Sequence, residues 1–364
     1  MAGDTASMHP QAITLEALES GFGAVTGQPP GPAEKSFLAQ VLEDHAADET
    51  PELGAADLAS LLGAVWRSSL DRAPGGAALI SVGPHTGAAG HPTGYDVLWI
   101  VQDDRPFLVD SVMGELAEAG VSVRSMYHPI VERADGRVSL IIVVMDSLPQ
   151  ERRDALGETL AATMADVRAA VNDHGAMQAL IERSIAELEA APPGIDPEVL
   201  AENLAFLRWL ASDHFVFLGA RAYEFPRTPE GGYEAEAPLS LSGVGLGVLA
   251  DPERTVLRRA NEPAVLTRSM KRQLNLSEPV TVAKANVRSR VHRRAYLDYV
   301  GVKRFGADGK ASGEIRFVGL FTAEAYDKAA SEVPLIRRKV ANALAAAGKI
   351  EGTHSYKRLR NILE

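Results

Sequence analysis

The 364-residue chain contains no cysteine. That excludes disulfide staples and thiolate metal sites, and it suits a reducing, cytoplasmic setting. No segment approaches the ~20 consecutive apolar residues needed to cross a bilayer, so no membrane contact through a spanning helix is expected. The opening MAGDTASMHPQAITLEALES has no basic stretch before a hydrophobic run, so no signal peptide is expected. Aromatic residues are scarce at 6%, too thin to interleave with basic residues as a nucleic-acid surface requires. The net charge of −11 points the same way.

What remains is ordinary globular composition, 46% hydrophobic and 23% charged, with enough length for two or three domains and a sizeable core. The charge is uneven. Residues 1–150 carry 7 basic and 20 acidic side chains, whereas Asp251–Arg304 carries 13 basic against 5 acidic. A charge run usually solvates a strand face, and the alternative is an anion or subunit-contact surface.

The richest stretch begins at Tyr95–Val101, YDVLWIV, a run with the length and β-branched content of a buried strand. Asp103–Asp104–Arg105–Pro106 breaks it, because proline removes a donor and biases its predecessor away from helix. Apolar residues at Leu108, Val109, Val112, Met113, Leu116 and Ala117 then predict one buried helix face. Gly120 stops that helix. A strand at Val121–Val123 follows, then a hairpin of Ile130–Arg133 and Val138–Met145 turning at Asp135–Gly136. A helix from Arg152 to Val171 completes a βαββα order, close to the ferredoxin-like arrangement. No fourth strand is evident after it, and Ala77–Val82 is the upstream candidate to supply one.

The flanks divide into segments. Residues 1–76 read as a helical tail, a Gly/Pro linker (GFGAVTGQPPGP) and two helices, about Ala33–Ala47 and Pro51–Arg72. Gly83–Gly94 reads as a flexible loop. Residues 77–191 form the βαββα domain with a helical extension, and Pro192–Pro193–Gly194 marks its end. Asp196 followed by Pro197 starts a new helix. Residues 195–330 alternate short strands with turns: Phe215–Phe225, Gly243–Leu249, Val256–Leu257, Ala264–Thr267 and Val280–Lys284. A long hairpin, Ala295–Phe305 with Glu314–Phe321, turns at Asp308–Gly309–Lys310. Residues 331–364 are a helical connector. The fold class is therefore α+β.

Catalytic patterns are missing. No G-x-S-x-G elbow occurs, and no histidines stand at the i, i+4 spacing of a helical zinc site. His85 and His91 sit six apart, a poor metal signature, so no metal is expected. Val244–Gly245–Leu246–Gly247–Val248 is the nearest glycine cluster to a dinucleotide fingerprint, but it lacks the third glycine and a following helix. A turn or bulge is its expected role.

DRPFLVDSV with LAEAGVSV resembles the opening strand, turn and helix of an ACT domain. With YHPIV added, it resembles the N-terminal ACT-type region of the very large bacterial NAD-specific glutamate dehydrogenases. FLRWLASDHFVFLGARAYEF (Phe206–Phe225) and SRVHRRAYLDYVGVKRFGADGKASGEIRFVGLFTAEAY (Ser289–Tyr326) are similar to the same family. The resemblance implies an ACT-like domain followed by a PAS-like one, within an enzyme that converts L-glutamate, NAD and water to 2-oxoglutarate, ammonium and NADH. It implies no catalytic residue and no cofactor in this stretch, with NAD held further along the polypeptide. Partners would be the downstream domains and further copies of the chain. An amino-acid effector would bind at Asp103, Asp104, Arg105, Pro106, Phe107, Leu108, Val109 and Asp110. There the amides near Leu108–Asp110 would take its carboxylate, and an acidic side chain its ammonium. The alternatives are a stand-alone ACT-type amino-acid sensor and a purely structural assembly module.

Overall fold

The structure is a computed structural model that describes residues 13–44, 53–190, 194–225, 228, 233, 240–254, 256 and 278–346. The chain divides into two units. One comprises the described residues up to Val167 with Arg290–Arg293, the other Arg168–Ser289 with the described residues from Arg294 onward.

The first unit opens with three helices, α1 (Leu15–Thr26), α2 (Pro32–Glu43) and α3 (Ala55–Leu70). Thr14 caps α1 by accepting from the Ala17 amide, and Pro32 supplies the preset first turn of α2. The sequence suggests a tail and linker here, but α1 buries Leu18 and Phe22 in the core. Gly21 of that stretch has a packing role, and Gly63 of α3 shares it. A Cβ on Gly21 would lie 2.7 Å from Ala59 Cβ, and one on Gly63 would lie 2.9 Å from Val25 Cγ1, so both let α1 and α3 approach closely.

Next come β1 (Leu79–Thr86) and β2 (Pro92–Asp103), then α4 (Leu108–Glu118), β3 (Val123–Tyr127), β4 (Ile130–Arg133), β5 (Gly136–Asp146) and α5 (Gln150–Asn172). The stretch 83–94 is mostly strand, not a flexible loop. Thr86 pairs with Pro92, and a tight turn closes through the Gly87 amide to the His91 carbonyl at 2.8 Å. The strand order is β1-β2-β5-β3, antiparallel, with β4 also on β5. β1 thus occupies the sheet edge beside β2.

β5 is buried for eight consecutive residues, Val138–Met145. Its side chains alternate between two cores, as strand geometry requires. Val138, Leu140, Ile142 and Val144 join Val97 and Val101 against Leu18, Phe22, Phe37, Leu58 and Trp66 of α1–α3. The opposite parity of β2 faces α5: Gln102 reaches Met164, and Asp96 takes Arg153. The buried stripe of α4 is Leu108, Ser111, Val112, Glu115 and Leu116, rotated from the expected one. Two polar residues lie inside it because each has a partner. Thr163 donates to Glu115, and Ser111 Oγ donates to the Phe107 carbonyl. α4 ends in a Schellman turn, with Gly120 at φ +63° and the Val121 amide donating to the Leu116 carbonyl at 2.9 Å.

In the second unit, α6 (His174–Ala190) and α7 (Pro197–Trp209) precede a five-stranded antiparallel sheet of β6 (Phe215–Glu224), β7 (Ser240–Gly247), β8 (Val280–Arg288), β9 (Tyr296–Phe305) and β10 (Ala311–Phe321). Their order is β7-β6-β10-β9-β8. Asp196 caps α7 through the Glu198 and Val199 amides. Short α8 (Ala323–Asp327) and α9 (Ile336–Ala346) follow. Met177, Ile181, Leu207, Phe217, Val300 and Phe317 lie in one core between the helices and the sheet. The other strand parity buries charge: Arg316 donates to Glu314 at 3.0 Å and stacks over Tyr223 at 4.1 Å. Tyr299 donates to the same carboxylate at 2.8 Å. The expected strand Ala264–Thr267, the Leu257 position and the Pro192–Pro193 boundary lie outside the described residues.

Asp96, with no exposed surface, accepts from the Leu148 amide at 2.9 Å and pairs with Arg153 at 3.2 Å, tying β2 to the start of α5. Asp96→Ala would leave Arg153 uncompensated, a loss of about 3 kcal/mol or more. Urea unfolding of the two proteins checks this, and an unchanged midpoint would refute it.

Candidate functional site

The eight residues expected to contact an effector span the end of β2 (Asp103), the turn after it (Asp104–Phe107) and the first turn of α4 (Leu108–Asp110). Pro106 cannot continue a strand ladder, and Phe107, at φ +72°, a conformation unusual for a bulky side chain, turns the chain into α4. No side chain caps the amino end of α4, and Asp110 lies in its first turn, where a carboxylate is favoured by the helix dipole. Leu108 is buried, Val109 and Phe107 are half-buried, and Pro106 and Asp110 are exposed.

The charges of the loop are already met by the unit's own groups. Asp103 pairs with Arg72, whose side chain is only 2% exposed, and accepts from Arg105 at 3.3 Å and the Gly75 amide at 3.1 Å. Burial alone would raise its pKa. The Arg72 guanidinium and the Gly75 amide outweigh that and hold it below the usual carboxylate value. Asp104 meets Arg137 at 3.2 Å, while its amide donates to the Arg137 carbonyl at 2.9 Å. Asp110 lies 2.9 Å from His292 Nδ1, the His292 amide donates to Ser111 Oγ at 2.9 Å, and the His292 ring sits 5.1 Å from that of Phe107.

Three of these partners carry no local sequence signal. Arg72 and Arg137 lie about thirty residues either side of the loop, and His292 is 182 positions from Asp110. Only the sheet order and the packing of Arg290–Arg293 within this unit bring them together. Chemically, the loop can offer first-turn amides to a carboxylate. Asp104 can accept an ammonium only by giving up or sharing Arg137.

Other candidates resolve differently. His85 is nearly buried on β1 and lies 3.3 Å from the Thr93 hydroxyl, with its pKa lowered chiefly by burial. His91 lies 3.4 Å from Asp57. Among the described residues no group of three or more His, Asp or Glu side chains is placed to hold a metal ion. No described helix is long and apolar enough to cross a membrane. The Gly243–Gly247 cluster lies in strand β7, not in a strand-to-helix turn. A Cβ on Gly245 would stand 1.9 Å from the Leu249 carbonyl oxygen, and one on Gly247 would stand 2.1 Å from that of Leu218. Backbone atoms thus occupy the side-chain positions of Gly245 and Gly247, the close approach for which glycine is used inside a strand.

The first unit is thus an α+β domain of ACT type, and residues 37–180 match the family model described as glutamate dehydrogenase, ACT1 domain. Residues 333–364 match a second model, glutamate dehydrogenase, helical motif 1. The chain is 29% identical over 350 residues to the NAD-specific glutamate dehydrogenase of Halomonas elongata, covering 90% of this chain and 21% of that protein. It is 30% identical over 290 residues to that of Pseudomonas aeruginosa, covering 73% and 17%. For that of Mycobacterium tuberculosis the identity is 24% over 310 residues, covering 79% and 17%. The chain belongs to the NAD-specific glutamate dehydrogenase family, and it spans about a fifth of the length of these curated relatives.

The depressed pKa of Asp103 makes a directional prediction. A carboxyl whose folded pKa lies below its unfolded value of about 3.9 adds stability above that pH, and loses it as pH falls through the folded value. Asp103→Asn should therefore melt lower than the parent at pH 7, and the gap should narrow between pH 4 and pH 2. A gap that stays constant on acidification would show that the ion pair contributes nothing.

Proposed function

We propose that this chain is the N-terminal regulatory and assembly region of a large NAD-specific glutamate dehydrogenase. The whole polypeptide would oxidatively deaminate L-glutamate to 2-oxoglutarate and ammonium, reducing NAD. Its catalytic and dinucleotide-binding parts would lie in the remaining four-fifths. The observation that carries this is the pair of family matches, an ACT1 domain and a first helical motif, on one chain aligned with much longer dehydrogenases. The second unit, an antiparallel sheet backed by helices on one face, suits a PAS-type module. Copies of the chain would assemble in the cytoplasm and contact the downstream domains. An amino-acid effector at Asp103–Asp110 would act by binding one assembly state better than another.

A second reading has its own support. Every carboxylate of the loop is already paired with a group of the same unit, which favours a contact and scaffolding role over ligand capture. Two measurements separate these. Full-length enzyme lacking residues 1–364 should show altered glutamate kinetics or assembly, and unchanged values in both would refute the regulatory proposal. Titration of the isolated chain with amino acids should raise its Tm by mass action, with the shift lost in Asp104→Ala. No shift with any amino acid would leave assembly as the role.

A further inference from the structure

A cavity of about 400 Å³ lies in the second unit, and Phe206, Trp209, Phe321 and Tyr326 are among its lining residues. Trp209 stacks on His214 with ring centres 4.4 Å apart, and lies 5.8 Å from Phe206 and 6.1 Å from Phe321. The chain leaves α7 here through a widened turn, Leu210–His214, in which Asp213 takes φ +62°. The opposite wall is the start of α9, held to α7 by Arg337 and Glu202 at 2.6–3.1 Å and by the Leu335 amide donating to Glu202 at 3.1 Å. The cavity is therefore built by interactions that exist without a ligand.

Two features select its occupant. Among the described residues five large hydrophobic side chains are exposed, and three of them, Val282, Tyr326 and Ile336, line this one cavity. Scattered exposed hydrophobics need no explanation, but a clustered set marks a binding surface. The charged lining residues are Lys328 and Lys339, with no carboxylate among the lining residues. Lys328 lies 3.2 Å from Glu324, whereas Lys339 has no ion-pair partner among the described residues. The volume falls in the range of about 300–1,000 Å³ typical of small-molecule sites, which are mostly apolar with a few placed polar groups.

We propose that this cavity binds a small amphiphilic carboxylate, its aliphatic or aromatic body against Trp209, Phe321 and Tyr326 and its head at Lys339. The proposal is independent of the glutamate dehydrogenase reading and of any effector at Asp103–Asp110. Lys339 discriminates by charge: an amine of the same shape meets a like charge there, and a neutral alcohol loses the ion pair.

Calorimetric titration of the 364-residue chain with octanoate, octanol and octylammonium tests it. Octanoate should bind saturably with one site per chain and raise the Tm, and octylammonium should do neither. Lys339→Gln changes an exposed position and should leave the unliganded melt unaltered, while weakening octanoate about tenfold, the effect of one charged hydrogen bond. Tyr326→Ala should weaken octanoate and octanol alike. Absence of saturable octanoate binding would overturn the proposal, as would equal binding of octylammonium or full affinity in Lys339→Gln. Sedimentation of the parent and Ile336→Lys proteins provides a further arm. A dimer abolished by that substitution, without octanoate binding, would assign the cavity to a second copy of the chain.

Discussion

The first unit depends on one constraint, the burial of β5 on both faces. A strand with eight successive buried side chains has no solvent side, so the sheet must be covered twice. The βαββα sequence supplies α4 and α5 for one face only. The other needs a separate cover, and α1–α3 provide it, with the Phe37 ring tilted against Trp66 at 5.2 Å. The upstream helices are thus part of the domain's core and not a leader to it, and the close approach at Gly21 and Gly63 follows from the same demand for cover.

The second unit resolves its two-sided sheet differently. One parity is a hydrocarbon core, and the other buries Arg316, Glu314, Tyr299 and Tyr223 as a paired and stacked group. Burial lowers the guanidinium's affinity for its proton, but the facing Tyr299, Glu314 and Tyr223 more than reverse this and keep it charged. A charge so placed tolerates few geometries, which fixes the register of β9 against β10. Arg221, with 2% exposure, is satisfied instead by backbone carbonyls, among them Leu249 at 3.0 Å and Arg254 at 3.1 Å. It thereby holds the chain after β7 against β6.

The site loop shows the same economy. Its turn runs through Pro106 and Phe107, neighbours in sequence, yet its charge pairing is tertiary. Asp103, Asp104 and Asp110 each face a cation or imidazole from elsewhere in the unit. A loop of this kind is pre-organised and electrostatically quiet, which suits a surface that meets another protein element as well as it suits a ligand.

Periodicity and punctuation made the local elements legible. YDVLWIV and Val138–Met145 read as buried strands, Asp196–Pro197 as a helix start, Asp308–Gly309 as a hairpin turn, and the family resemblance rested on contiguous motifs. These signals are carried by neighbours in sequence, where backbone sterics and side-chain period act. The rotated stripe of α4 was hidden, because Ser111 and Glu115 are buried only by virtue of Thr163 and the Phe107 carbonyl. The strand pairing of residues 83–94 was hidden too, since its glycines signal a turn whether or not strands continue beside it. The partners Arg72, Arg137 and His292, and the cavity beside Trp209, are products of packing between residues far apart in the chain. Sequence alone determined most of the helix and strand segments and the family the chain belongs to. Tertiary structure alone decided which charges meet and which surfaces stay open, because those depend on distances that local periodicity does not encode.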